Sequence, residues 1–230
     1  MGMRVILCVV FSVALPFSTY AVCNAPQPRM VCAEYFKEEA TVIAKLIRIT
    51  HHAPKDTHDY YVYELRVQKK IKGQIPSVFE IWEENSSGRA GFEWRKDESY
   101  LLFLSYSKDE HAWLLDGCGN SAPLKEAGRT LAAIERMQKA SHGGVIQVVV
   151  ADGIPGTTVV ATSREKSYRG RVNSERECRI RVPEGHYKVS ISEPGWSFST
   201  DFFSYEKPED VEIRNGSCAQ IQLEASNKRK

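Results

Sequence analysis

Tyr60-Tyr61-Val62-Tyr63-Glu64-Leu65-Arg66-Val67-Gln68-Lys69 alternates cleanly. Tyr61, Tyr63, Leu65 and Val67 fall on one side of an extended chain, with Glu64, Arg66 and Gln68 on the other. A period of two is that of a strand with one face buried and one wet. Further β-type runs flank it: Ala40 to Ile49 before, and Val78 to Trp82, Tyr100 to Tyr106 and Ala112 to Leu115 after. Between the third and fourth lies Asn85 to Gly91, whose Asn, Ser and Gly content marks a loop. After the fifth, Leu124, Ala127, Leu131, Ile134 and Met137 recur at helical spacing behind Ser121 and Pro123, so one amphipathic helix is predicted to close this half.

Ala140 to Gly144 is small and flexible, and places a domain boundary. Beyond it Val145 to Val150, Thr158 to Thr162, Cys178 to Val182, His186 to Ser192, Val211 to Ile213 and Ala219 to Leu223 are short runs punctuated by Gly, Pro and Asn. No helical period occurs among them, which predicts a small β-sandwich of about 80 residues. The expected fold is all-β: a five-stranded OB-type barrel with a C-terminal helix, followed by that sandwich.

The chain has 230 residues, 42% hydrophobic and 26% charged, with 15 Gly and 10 Pro, which excludes a disordered or low-complexity protein. Lys and Arg number 31 against 29 Asp and Glu, a formal charge of +2, so no charge excess draws the whole molecule to nucleic acid or an anionic membrane. Met1 to Arg4 carries one positive charge and runs into the apolar stretch Val5 to Phe17. As a helix that stretch rises about 20 Å, short of the roughly 30 Å hydrocarbon core. Thr19 and Ala21 occupy the small-residue positions of a cleavage site, so residues 1–21 are expected to be a signal peptide and the mature chain to begin at Val22. The expected location is periplasmic or extracellular, with no membrane span.

Loss of that leader removes Cys8 and leaves Cys23, Cys32, Cys118, Cys178 and Cys218. In an oxidising compartment most should pair, and the odd number leaves one thiol over. None is spaced as CxxC, which argues against a redox dithiol or a zinc knuckle.

Specific residues add a resemblance. Cys23 with Pro26 and Pro28, Val42-Ile43-Ala44-Lys45, Lys72-Gly73, Tyr100-Leu101-Leu102-Phe103, and Cys118 before Ala122-Pro123-Leu124 follow one another. In that order they resemble the netrin-like domain of tissue inhibitors of metalloproteinases and its exported bacterial relatives, here over residues 22–140. Pro183, Gly185, Tyr187, Val189 and Pro194-Gly195-Trp196 make residues 145–225 similar to the carboxypeptidase regulatory-like, transthyretin-like sandwich. In that family the Pro and Gly make a turn and the Tyr begins a strand and caps the core; the usual Asp-Gly ahead of the strand is replaced by Asn173 to Glu177. The resemblance implies disulfides Cys23–Cys118 and Cys178–Cys218, with Cys32 a free, buried thiol; Cys32–Cys118 is a rival pairing. Each long loop so closed is worth roughly 4 to 5 kcal/mol in the chain-entropy account.

The resembled inhibitors chelate a metalloproteinase zinc through the α-amine and carbonyl of a leading cysteine. A chain beginning at Val22 turns the amine of Cys23 into an amide without a metal-binding lone pair, which disfavours that activity. His51, His52 and His58 with Asp56 and Asp59 fit zinc spacing only loosely and are expected to be a solvated hairpin loop. His186 is expected to lie in the turn before Tyr187 and to serve the strand rather than a ligand, and Lys69-Lys70-Ile71-Lys72 to end a strand in solvent. There is no GxSxG, SxxK, Walker or Rossmann spacing, so no catalytic residue, metal or cofactor is expected. Tyr60, Tyr61, Tyr63, Trp82 and Trp94 could stack on bases, but export and the near-neutral charge favour core and edge packing over nucleic-acid binding. The expected function is non-enzymatic: binding another protein or a cell-surface polymer, through the barrel end bearing Asn85 to Gly91 and the N-terminal segment. The alternatives are a metalloproteinase inhibitor acting through Cys23 and a hydrolase with an unrecognised site.

Overall fold

The computed structural model describes residues 29–53, 59–84, 92–201, 204 and 206–228. Among the described residues the chain is all-β apart from two short helices, α1 (Val31–Lys37) and α2 (Gly128–Gln138). The first half contributes β1 (Ala40–His52), β2 (Tyr60–Lys72), β3 (Val78–Glu84), β4 (Ser99–Ser107), β5 (Ala112–Leu115) and the two-residue β6 (Ala122–Pro123). Pairing runs β1-β2-β3-β5-β4-β6, and β1 also pairs with β4, so five strands form a closed circuit. The β3–β5 contact is parallel and consists of Ile81 opposite Trp113. Register shifts after Thr41, Ile43 and Leu46 bend β1, letting one strand serve β4 at its start and β2 along its length.

The alternation in β2 holds: Tyr63 and Leu65 are buried in the core, with Tyr61 and Val67 packed against it. That core also takes Val42, Ala44 and Leu46 from β1, Phe79 and Ile81 from β3, and Tyr100, Leu102 and Leu104 from β4. Each fully buried Leu or Ile contributes roughly 1.5–3 kcal/mol. The opposite face of β4 is buried too, because Leu101 and Phe103 pack with Tyr35 of α1 and Ile134 of α2. The unbroken apolar run Tyr100 to Leu104 reflects this double burial.

Two corrections concern local structure. The helix begins at Gly128 rather than near Leu124. Pro123 pairs with Tyr100 in β6, and Leu124, whose amide donates to the Ser99 carbonyl, opens a turn through Ala127, so tertiary pairing delays the helix. Lys72 does not end its strand in solvent. Its ammonium donates to the carbonyls of Tyr35, Phe36 and Glu38 at 2.5, 3.0 and 2.5 Å, capping α1. Gly73 follows at φ +79°, where a Cβ would lie 2.0 Å from the Glu39 carbonyl oxygen, so the Lys-Gly pair fits the α1–β1 connection closely.

The second half contains β7 (Gly144–Ala151), β8 (Thr158–Thr162), β9 (Ser167–Arg171), β10 (Glu177–Val182), β11 (Gly185–Ser192), β12 (Trp196–Thr200), β13 (Val211–Ile213) and β14 (Cys218–Asn227). They form two sheets, β10-β7-β14-β12 and β13-β11-β8-β9, enclosing one core. Tyr187 is buried there with its hydroxyl donating to the Pro183 carbonyl at 2.9 Å. Asn173 replaces a glycine turn by accepting the amides of Glu175 and Glu177 on its side-chain oxygen, with Arg176 at φ +64°.

The cysteine pairing differs from the expectation. Cys32 of α1 is bonded to Cys218 at the start of β14, with Cα atoms 5.3 Å apart, and Cys178 is a free, buried thiol. Cys178 and Cys218 cannot pair because β10 and β14 lie on opposite sides of β7. Two strand spacings, about 9.5 Å, exceed the reach of a disulfide. Cys118 is also disulfide-bonded, and Cys23 lies outside the described residues.

Helix α1 joins the two halves. Ala33 and Cys32 face Cys218 and Val145, and the Met30 amide donates to Gln220 Oε1 at 3.1 Å. Glu34, fully buried, accepts the backbone and side-chain N–H of Asn120 at 2.7 and 2.6 Å. Arg29 pairs with Asp116 beside it. Among the described residues no helix is long and apolar enough to cross a membrane.

Candidate functional site: an aromatic face on β1, β2 and β3

In β3 Phe79, Ile81 and Glu83 turn inward, while Val78, Glu80, Trp82 and Glu84 are exposed. The pleat requires this alternation, and Trp82 therefore stands in the polar phase of its strand. It is 52% exposed, the most exposed of the large hydrophobic residues described. Register carries the face across the sheet. Tyr60 lies opposite Glu84 and His52, Val62 opposite Trp82 and Thr50, and Glu64 opposite Glu80 and Arg48.

The rings on this face form a ladder. His52 and Tyr60 stack with centroids 4.8 Å apart and planes 12° apart; Tyr60 and Trp82 stack at 5.5 Å and 16°. Although Val62 shares the outward phase, it is only 8% exposed. One end of the face thus presents an apolar, ring-built surface, and the other is charged, with Arg48 paired to Glu64 at 2.7 Å. Glu80 and Glu84, two residues either side of Trp82, have no ion-pair partner among the described residues.

The opposite face of the same hairpin is braced. His51 stacks on Tyr61 at 4.5 Å, Tyr61 on Tyr63 at 6.1 Å, Tyr63 on Trp94 at 4.7 Å, and Trp94 contacts Tyr100 at 4.8 Å. The Trp94 indole N–H donates to Glu83 Oε2 at 3.0 Å. Tyr100 accepts the Arg95 amide at 2.6 Å, and burial pushes its phenol up. The column ties the strand ends carrying the ladder to the core.

The histidines of the β1–β2 loop do not converge. His51 faces the inner column and contacts Asp59 at 3.0 Å, whereas His52 faces the outer ladder. Adjacent strand residues point to opposite faces, so the two cannot share one ion. Asp56, His58, Cys23 and the Asn85 to Gly91 loop lie outside the described residues. His186 lies in β11 with its imidazole 3.8 Å from Asp210, on the rim of a cavity of about 290 Å³ between α1 and the second half. Burial raises the Glu206 carboxyl in that cavity, while Arg214 is taken by Glu212 at 3.0 Å.

Of the aromatics expected to be packing residues, Tyr63 and Trp94 are core and Tyr61 is attached to it, but Trp82 is not. The sequence carried the signal: in Phe79-Glu80-Ile81-Trp82-Glu83-Glu84 the tryptophan falls in phase with the glutamates at 80 and 84. The face offers ring surface and carboxylate acceptors, the chemistry of recognition. No family model matches the chain, and no curated protein matches it.

Proposed function

We propose that this chain is an exported, non-enzymatic β-protein of two domains, residues 22–140 and 145–225, that binds another protein or a cell-surface polymer. The contact is the exposed face of β1–β3. The observation that carries this is Trp82, half exposed at the end of a ring ladder that a braced hairpin holds in place. An exposed aromatic in a polar strand phase has no role in the chain's own core, and such patches mark interaction sites. The circuit β1-β2-β3-β5-β4 has the strand order of an OB-type barrel, whose second and third strands commonly carry the ligand face. The resemblance to netrin-like and transthyretin-like modules supports a binding role, and a disulfide between the halves suits an oxidising compartment.

Partner capture from the secreting culture, run in parallel with the intact chain and Trp82→Ala, tests this. Loss of a captured partner in the variant is expected, and retention of every partner overturns the assignment. Intact mass of the secreted protein tests export: a chain beginning at Val22 is expected, and one beginning at Cys23 would favour metalloproteinase inhibition instead.

A further inference from the structure

We propose that the partner presents cations to this face: an extended peptide segment with Arg or Lys at alternate positions, stacking one cationic side chain on Trp82 and pairing its neighbours with Glu80 and Glu84. This rests on the face being a contact surface, as above, and specifies what it contacts.

Charge and spacing both carry the inference. Glu80, Trp82 and Glu84 project from one side of one strand and are all exposed. Successive members are about 6.6 Å apart along the strand, which is also the spacing of same-side residues in an extended peptide. Neither Glu80 nor Glu84 has an ion pair among the described residues, while the nearby Arg48 is held by Glu64 at 2.7 Å. Glu80 also stands directly opposite Glu64, so two carboxylates face each other across the β2–β3 pair. Like charges directly opposite are unfavourable, and Arg48 balances Glu64, so Glu80 is the carboxylate left for an incoming cation. Arg66 shares the face but lies at its far end, opposite Val78. The indole face of Trp82 is the best side-chain acceptor for a cation, and flanking carboxylates add to it.

Fluorescence anisotropy on the full chain tests the proposal. The probes are a labelled short peptide alternating Arg and Ser, the same peptide with citrulline in place of Arg, and a labelled chitin oligosaccharide. The Arg–Ser peptide is expected to bind, more weakly at high salt, and the citrulline peptide at least about fivefold less tightly. Trp82→Ala and the double variant Glu80→Gln/Glu84→Gln should each weaken peptide binding by about fivefold or more. Glu165→Gln, an exposed carboxylate in the β8–β9 turn, should change nothing. No measurable peptide binding, an effect of Glu165→Gln equal to that of the double variant, or indifference to Trp82→Ala overturns the proposal. Oligosaccharide binding that depends on Trp82, with no peptide binding, also overturns it but leaves the face a contact surface. Partner capture that survives Trp82→Ala removes the contact surface itself.

Discussion

Lys72, the last residue of β2, donates its ammonium to the main-chain carbonyl of Tyr35 at 2.5 Å, so a strand side chain closes the C-terminal end of helix α1. The ammonium also lies 5.4 Å from the centre of the Tyr35 ring. A seven-residue helix is too short to hold itself and depends on such contacts. Lys72→Met keeps most of the stem but leaves three carbonyls without their donor. It is expected to cost about 2 kcal/mol in urea unfolding, the scale of hydrogen bonds to a charged group.

Glu34 carries the pH dependence of the same helix. Burial raises its carboxyl, partly offset by the hydrogen bonds from Asn120, with Glu38 pushing the same way as burial and Arg29 opposing. A folded-state value above the unfolded one means that the native state binds the proton more tightly. The contribution is therefore full below the unfolded glutamate value, about 4.3, and is lost as pH rises through the folded value. Glu34→Gln is expected to flatten the fall in stability between acid and neutral pH, as read from unfolding midpoints at several pH values. An unchanged slope would place the titration elsewhere.

Gly119 sits against that carboxyl: a Cβ on it would lie 2.0 Å from Glu34 Oε1. Gly119→Ala should destabilise by about 1–3 kcal/mol, the range for overpacking. Glu34→Ala should largely relieve that penalty in a double-mutant cycle, because the colliding oxygen is gone.

Cys32 and Cys218 are 186 residues apart in sequence, so their bond closes a very long loop. Cys32→Ser/Cys218→Ser is expected to cost about 2–5 kcal/mol. Cys178, in contrast, is buried, and burial with Glu177 nearby pushes its thiol up. It should resist iodoacetamide in the native protein and react fully in denaturant, as counted by intact mass. Peptide mapping without reductant should recover a Cys32–Cys218 link; a Cys178–Cys218 link would overturn the sheet order drawn here.

Arg176 holds φ +64° in the turn before β10. Its only described ion pair, with Asp152 at 3.5 Å, is between exposed side chains and worth little. Arg176→Gly is expected to raise stability by about 0.5–1 kcal/mol, since glycine adopts this conformation without a Cβ clash.

The expected strands were legible wherever one face meets water. Tyr61-Tyr63-Leu65-Val67 against Glu64-Arg66-Gln68 left no second assignment, whereas Val145 to Val150 and Ala219 to Leu223, buried on both faces, were found as short runs bounded by turn residues. Among the described residues four elements escaped. Helix α1 is too short to show a period, and β6 spans two residues. Strands β9 and β12 are sheet edges of five residues with weak alternation, formed because a neighbour offers hydrogen bonds. In the candidate site, the phase of Trp82 was present in the sequence, but its stacking on Tyr60 depends on the β2–β3 register and that of Tyr60 on His52 on the β1–β2 register.

The sequence by itself determined the β class and which side chains of each long strand turn inward, because the period of a strand is a local property of the backbone. Tertiary structure decided what meets what across the chain: that β7 separates Cys178 from Cys218, that Lys72 reaches α1, and that three rings from three strands line up on one face. Those outcomes depend on strand order and register, which arise from packing the whole chain at once.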